Sequence, residues 1–555
     1  MAVVGLLAIA VALAYFLLVV TPINEPARGG TYVEGIVVNS AVAISINPLY
    51  ATNSLSQDVS SLVFRGLTRS EPGKNPGDPG QVIVPDLADS WTASPDGSDW
   101  EFHLRHDLRW QDGFPVTAQD VVYTVNLIKN DEFNGLPDLA KTWKNVTASR
   151  LGDYVVRFHL EQPWPAFLSY TNLGILPAHK LEGKIKPGEL ATTEFNQAPV
   201  GNGPYMLAPG GLSPQGVTLI ANPLYHDDSG KQPYLDKIWF RFYPSATAAL
   251  SALQANQVDG VSEVSADDLK RFGQLKKADE ISAPLSTNTF LFLNLQRSAL
   301  FGQKEVRQAL AYSINKQDIV SKALQGQAQI SNSPILASSW AYKADIKTYS
   351  FNIAQAEKLL DDAGWKLNRD GVRERNGQTL VFKILTDDSS DKREVANTIT
   401  DDLKAVGVIA QLDVAPSTRE LNDAVKASNY DALLLSVQSI LNDPDQYFNW
   451  HSNYAEPGDN HQNYANWKLD RADKLLEDAR KTVNQDARRK LYLDWQTIWA
   501  DELPSIPLYS STYSYVVSTK VGGVQRENLK VINTASDRLK DIASRYIFTS
   551  TRFGS

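Results

Sequence analysis

The sequence predicts a mixed α and β protein of several domains, on three observations. Short segments that alternate apolar and polar residues predominate up to about residue 285, whereas 302–325, 352–364, 390–406 and 468–502 carry helical spacing. In 352–386 a helix is followed by strands, as in an α/β lobe. At 555 residues the chain is too long for one apolar core, so two to four domains are expected. With 43% hydrophobic and 21% charged residues it has a folded, non-repeating composition.

The first element is an unbroken apolar run, residues 2–20, AVVGLLAIAVALAYFLLVV, long enough to span hydrocarbon as a helix. A cleaved signal peptide is the competing reading. The run exceeds a usual signal core and TPINEP follows without a small-residue cleavage site, which favours a retained anchor. The first positive residue is Arg28, so charge sets no orientation. PINEPARGG (22–30) has the Pro and Gly content of a tether, and GIVVNSAVAISINPL (35–49) reads as a strand ending in a turn. EPGKNPGDPG (71–80) reads as a surface loop.

Between Pro85 and Val122, Trp100, Phe102 and Leu104 alternate with Glu101, His103 and Arg105, the period of a strand with one buried face. Asp96-Gly97 and Asp112-Gly113 supply the positive-φ positions of tight turns on either side. Thr117 and Asp120 have the spacing of a capping box, and Val121, Val125 and Ile128 recur at i, i+4, i+7, so a helix starts there. Further on, Asn352 can cap a helix carrying Leu359 and Leu360, and Gly364 suits the left-handed residue after it. Asp-Gly and Asn-Gly turns then bracket a strand pair in 370–386.

Composition removes several function classes. A net charge of −9 argues against a nucleic-acid binder, and zero cysteines exclude disulfides, zinc-thiolate sites, cysteine nucleophiles and attachment through an acylated cysteine. No P-loop, H-E-x-x-H or G-x-S-x-G occurs, so no enzyme is indicated. His103 and His106 fall on opposite faces of a strand, which opposes a metal pair. His451 and His461 flank a polar loop without a third ligand nearby and read as hydrogen-bonding groups. Asp267-Asp268 and Asp361-Asp362 read as solvated faces, and Asn145-Val146-Thr147, which matches a glycosylation acceptor, is assigned no role. No metal or cofactor is expected.

The order of strand, Asp-Gly turn, Pro-x-Thr-Ala-x-Asp-Val and helix resembles the signature segment of the bacterial extracellular solute-binding proteins of ABC transporters, family 5, the peptide and nickel class. The resemblance continues through GNGPYML (201–207), ALSALQANQVDG (249–260), LFLNLQRSALFGQKEVRQALAYSINKQDIV (291–320), AQAEKLLDDAGW (354–365), NDPDQYFNW (442–450) and NHQNYANWKLD (460–470), covering roughly residues 30–525. It implies a periplasmic-binding-protein-like fold, type II, cluster C: two lobes with an extra domain. Domain I would comprise 30–54, 190–285 and 506–555, domain II 55–189 and domain III 286–505, after an anchor and tether in 1–29. Crossovers between lobes would lie near Pro284–Thr289 and Leu503–Ser510.

The resemblance also implies a ligand held extended between domains I and III, pairing with main chain as an added strand, and hinge closure around it. The ligand-facing residues would be Ile44 and Ser45 on one side, and Ser436, Val437, Gln438, Ser439 and Ile440 on the other, followed by a loop with Asn442, Asp443 and Asp445. Peptide-binding relatives place an aspartate for the ligand's ammonium where this chain has Ile440. Either Asp443 or Asp445 takes that role, or the ligand lacks a free amine there. An oligosaccharide is the other ligand class, with Trp450 either stacking on it or buried in the core. A monomer outside the cytoplasmic membrane or in the periplasm, delivering to ABC permease subunits with the ATPase on separate chains, is expected. A sensing module for a signalling partner is the alternative.

Overall fold

The computed structural model of the chain describes residues 22–38, 44–73, 81–272, 277–439, 443–529 and 532–553. The apolar run 2–20 lies outside them, and among the described residues no helix is long and apolar enough to cross a membrane.

The segment that carried the signature folds as its pattern demands. Asp99–Leu104 is a strand with Trp100, Phe102 and Leu104 buried, paired antiparallel with Ala88–Ala93 on one side and Val155–Leu160 on the other. Gly97 at φ +75° makes the first turn and Gly113 at φ +92° the second. Thr117 and Asp120 form the expected capping box of the helix Ala118–Ile128, whose Val121, Val125 and Ile128 enter the core. With Val146–Arg150 these strands form a four-stranded antiparallel sheet.

A larger, 12-stranded sheet runs through both lobes, and one strand, Ser505–Ser518, joins its halves. Its first half pairs with Thr287–Leu293, register Thr289 to Tyr509 and Phe292 to Ser505. Its second half pairs with Ala278–Pro284, register Pro284 to Thr512 and Ala278 to Ser518. Only Leu285 and Ser286 separate Ala278–Pro284 from Thr287–Leu293, so two adjacent strands pass from lobe to lobe side by side. The apolar cores divide along the same line. Ile506, Leu508 and Tyr509 pack with Leu291, Leu293 and the helices Lys304–Ser313 and Ser390–Lys404, while Tyr513, Tyr515 and Val517 pack with Tyr32, Phe240 and the signature segment.

Two expectations are corrected near the N-terminus. The strand there is Thr31–Val37, not 35–49, because its register is set by a parallel partner, Lys237–Tyr243, that pairs Thr31 with Lys237 and Val37 with Tyr243. Asn47, Pro48 and Leu49 do form the turn, with the Asn47 side chain accepting from the Leu49 amide at 3.0 Å. The presumed tether is likewise paired: Pro22–Ala27 lies antiparallel against Phe548–Phe553, register Pro22 to Phe553.

In the second lobe, helix Ile353–Asp362 is capped by Asn352, which accepts from the Gln355 amide at 3.0 Å, and Gly364 follows at φ +87°. Lys316 is buried there, and among the described residues its ammonium donates only to the Ser331 carbonyl at 3.1 Å and Asn332 Oδ1 at 3.0 Å. Burial pulls its pKa down to about 7. Between that value and the unfolded lysine's, the unfolded chain binds more protons, so this group makes stability rise with pH from about 7 towards 10. Lys316→Met is therefore expected to exceed the parent in stability at pH 7 and to lose that margin by pH 10. Urea unfolding of both at several pH values checks this; parallel curves would refute it.

Candidate functional site: the cleft end of the second lobe

Strand Ala432–Gln438 pairs antiparallel with Thr287–Leu293, register Thr289 to Ser436 and Thr287 to Gln438. Successive side chains point to opposite faces. Leu433, Leu435 and Val437 face the cluster that holds Trp450, whereas Ala432 and Leu434 face the helix Ser390–Lys404, and Ser436 continues that second face. The strand end therefore sits where three strands meet: its own, Thr287–Leu293, and the long joining strand.

At this junction Ser436 Oγ lies 2.7 Å from Thr289 Oγ1 and accepts from Lys392 Nζ at 2.6 Å. Lys392 Nζ also reaches Thr289 Oγ1 and the Tyr509 hydroxyl, both at 3.4 Å. Beyond Ser436, Gln438 Nε2 donates to the Asn533 carbonyl at 3.2 Å, and the Ser439 amide donates to the Ser286 carbonyl at 2.7 Å. Ser286 Oγ in turn donates to Asn533 Oδ1 at 2.7 Å. This polar seam ties the strand end to the crossover and to the C-terminal segment. Ile440 and Asn442 lie outside the described residues.

The acidic turn that follows is held by arginines. Asp443 Oδ1 accepts from the Asp445 amide at 3.0 Å, and Arg488 grips both Asp443 oxygens at 2.7 and 2.8 Å. Asp445 accepts from Arg480 Nη2 at 2.7 Å and Nε at 3.0 Å, and from Trp164 Nε1 at 3.3 Å. Both carboxylates are buried. Burial alone would raise Asp445, but the Arg480 guanidinium outweighs it and holds the carboxyl below the ordinary range. Arg480 also lies over the Tyr447 and Phe448 rings at 4.0 and 4.3 Å. Neither acid is thus a free carboxylate placed to await a ligand's ammonium. Trp164 and the Lys141 ammonium, which donates to the Asp459 carbonyl at 3.0 Å, bring the 55–189 segment against this face.

Trp450 belongs to the core. It is 2% exposed, packs edge-on against Phe290 and Trp499, and donates to Gln446 Oε1 at 3.1 Å, so its ring has no face to offer a sugar. Ile44 packs against the first lobe's core and the Ser45 amide donates to Ser56 Oγ at 3.1 Å. His451 and His461 hydrogen-bond as read: His451 Nδ1 accepts from the Asn453 amide at 3.1 Å, and His461 Nε2 is 3.2 Å from the Tyr430 hydroxyl. No group of three or more metal-binding side chains is found among the described residues.

Sequence reasoning passed over Lys392, Thr289, Tyr509 and the two arginines. One signal was available for Lys392: a lysine in the first turn of a helix opposes the dipole that favours acids there.

Residues 82–459 match the family described as bacterial extracellular solute-binding proteins, family 5 Middle. The chain belongs to this family. Its members are extracellular or periplasmic binding proteins. The oligopeptide-binding protein AppA of Bacillus subtilis (strain 168) is 27% identical over 503 residues, covering 88% of this chain and 87% of its own. The dipeptide-binding protein of Escherichia coli (strain K12) is 26% identical over 502 residues, covering 86% and 89%. Among solved structures, AppA in complex with a nonapeptide superimposes with a TM-score of 0.73 at 25% identity, over 94% of this chain and all of that one. NikZ from Campylobacter jejuni in complex with Ni(L-His) gives 0.73 at 26%, over 93% and 99%.

Proposed function

We propose that this family 5 protein is the solute-binding component of an ABC importer, which takes a peptide-sized ligand between its lobes by hinge closure and passes it to a permease. One observation carries the reading. The likeness to a peptide-binding relative spans both lobes, and it includes the two side-by-side strands on which one lobe can turn against the other. A ligand laid along Ser436–Ser439 can be held through main-chain groups, which gives affinity without selecting a side chain. The same reading supports domain I as 30–54, 190–285 and 506–555, domain II as 55–189 and domain III as 286–505, with a monomer outside the membrane and residues 2–20 as its anchor. The joining strand's core partners change between Tyr509 and Tyr513, a few residues beyond the 505/506 boundary of that division.

Closure requires a ligand that prefers the closed state. X-ray scattering on protein freed of residues 2–20 is expected to show a smaller radius of gyration once copurified solute, or a pool of synthetic peptides, is restored to stripped protein. An unchanged radius with every ligand would sink the hinge reading.

A further inference from the structure

We propose that Trp164 is a positioning residue for ligand capture: its indole N–H reaches across the lobes to Asp445 and holds the closed state together without touching the ligand. The inference rests on the hinge reading above and names a residue that sets how firmly the hinge stays shut.

The first observation is that the contact joins two bodies with separate cores. Trp164 stands between Pro163 and Pro165 at the start of the short helix Pro165–Tyr170, with its ring 6.3 Å from that of Phe167 and 4.7 Å from that of Tyr170. Phe167 is buried in the first lobe's core. Asp445 belongs to the acidic turn of the second lobe, where the neighbouring Tyr447 packs on the other core. The indole Nε1 donates to Asp445 Oδ2 at 3.3 Å. Two further contacts join the same bodies. The Lys141 ammonium donates to the Asp459 carbonyl at 3.0 Å, and a methyl group placed on Gly97 would stand 3.2 Å from Val483 Cγ2, just beyond the helix Asp470–Lys481 that carries Arg480. The 55–189 segment therefore meets the second lobe at three points widely spaced in sequence.

The second observation is what the carboxylate gains from the indole. The Asp445 side chain is 3% exposed. Its Oδ1 accepts from the Tyr447 amide at 3.0 Å and its Oδ2 from Arg480 Nη2 at 2.7 Å, and both donors belong to its own lobe and stay with it when the lobes part. Trp164 comes from the other lobe. In the open molecule water can serve the oxygen that the indole serves here, and closure replaces that water by the indole N–H. An ionised acceptor that loses its water with no donor to replace it is left short of a hydrogen bond, and the cost falls on the closed state alone. Ligand and indole thus act on one equilibrium. Apparent affinity is that of the closed form scaled by the closed fraction, so weakening the closed form weakens every ligand by one factor, mainly through faster release.

The test compares the parent, Trp164→Phe, Asp445→Ala and the double variant, after circular dichroism has shown each folded. Phenylalanine keeps a ring against Phe167 and Tyr170 and removes the N–H. Binding of individual synthetic tri- to nonapeptides is read by calorimetry and their release by stopped flow. Trp164→Phe is expected to weaken each peptide about tenfold, by a common factor and through faster release, and to leave urea unfolding of the ligand-free protein unchanged. In the Asp445→Ala background the same change should alter affinity less than about twofold. Affinities of Trp164→Phe within about twofold of the parent overturn the role of Trp164. Factors that differ from peptide to peptide overturn it too, by placing Trp164 on the ligand, as does an equal loss in the Asp445→Ala background. A matching loss of ligand-free stability makes the contact structural in every state and overturns it as well. Should Asp445→Ala not fold, the common factor and the unfolding comparison still decide. A parent that binds peptides without a smaller scattering radius overturns the hinge reading, and the clasp with it. A parent that binds no peptide overturns the peptide reading instead, and the copurified solute then takes the peptides' place in the same comparison.

Discussion

An Arg538→Met variant is expected to lose about 3–5 kcal/mol of folding stability at pH 7, the range for removing one partner from a buried ionic cluster. Arg538 sits in the C-terminal segment and holds together elements from the start of the chain. Its Nε donates to Glu34 Oε1 at 2.9 Å on strand Thr31–Val37, and its two terminal nitrogens reach Asp58 at 3.0 and 2.6 Å on helix Ser54–Val63. All three side chains are essentially without solvent. The cluster continues through Tyr32, which donates to Glu34, to Tyr515 at 2.6 Å and then Arg545 at 2.9 Å. Methionine fills the volume but leaves two carboxylates facing each other in a low-dielectric core.

The deficit of Arg538→Met comes from these two acids left without their cation. Adding Glu34→Gln and Asp58→Asn should recover much of it at pH 7. Urea unfolding with an unchanged slope is the measurement. A loss below about 1 kcal/mol would show that water reaches the cluster, since exposed pairs contribute no more than that.

Local pattern made part of this molecule legible and long-range pairing hid the rest. The strand Asp99–Leu104 and the helix after Thr117 are written in neighbouring residues, so period and cap suffice. The strand Thr31–Val37 is misplaced by local pattern because Gly35–Leu49 is apolar enough to be one, while its end at Val37 is set by its partner Lys237–Tyr243. Pro22–Ala27 looked like a tether because its partner is the last strand of the chain. Trp450 stood open between core and cleft, since an aromatic's type is the same in both. Lys392 escapes notice for a related reason: the hydroxyls it meets come from three strands separated in sequence.

Asp443 is where the ligand-site and structural readings give opposite results. If it is the buried partner of Arg488, Asp443→Ala and Arg488→Ala should each cost about 3–5 kcal/mol, because each strands one charge beside Tyr492 in the second lobe's core. The paired replacement Asp443→Leu with Arg488→Met should be much closer to the parent than the sum of the two single changes, as for residues in direct contact. Peptide recognition separates the readings further. With calorimetry below the melting point of each variant, the ratio of affinities for a free and an N-acetylated peptide should be the same in the parent, Asp443→Ala and Asp445→Ala. Arg488 and Arg480 already satisfy these carboxylates, so removing one takes no partner from the ligand's amine. A ratio that collapses on Asp443→Ala would mean that the ammonium competes with Arg488 for the same carboxylate, and the turn would then be part of the recognition surface.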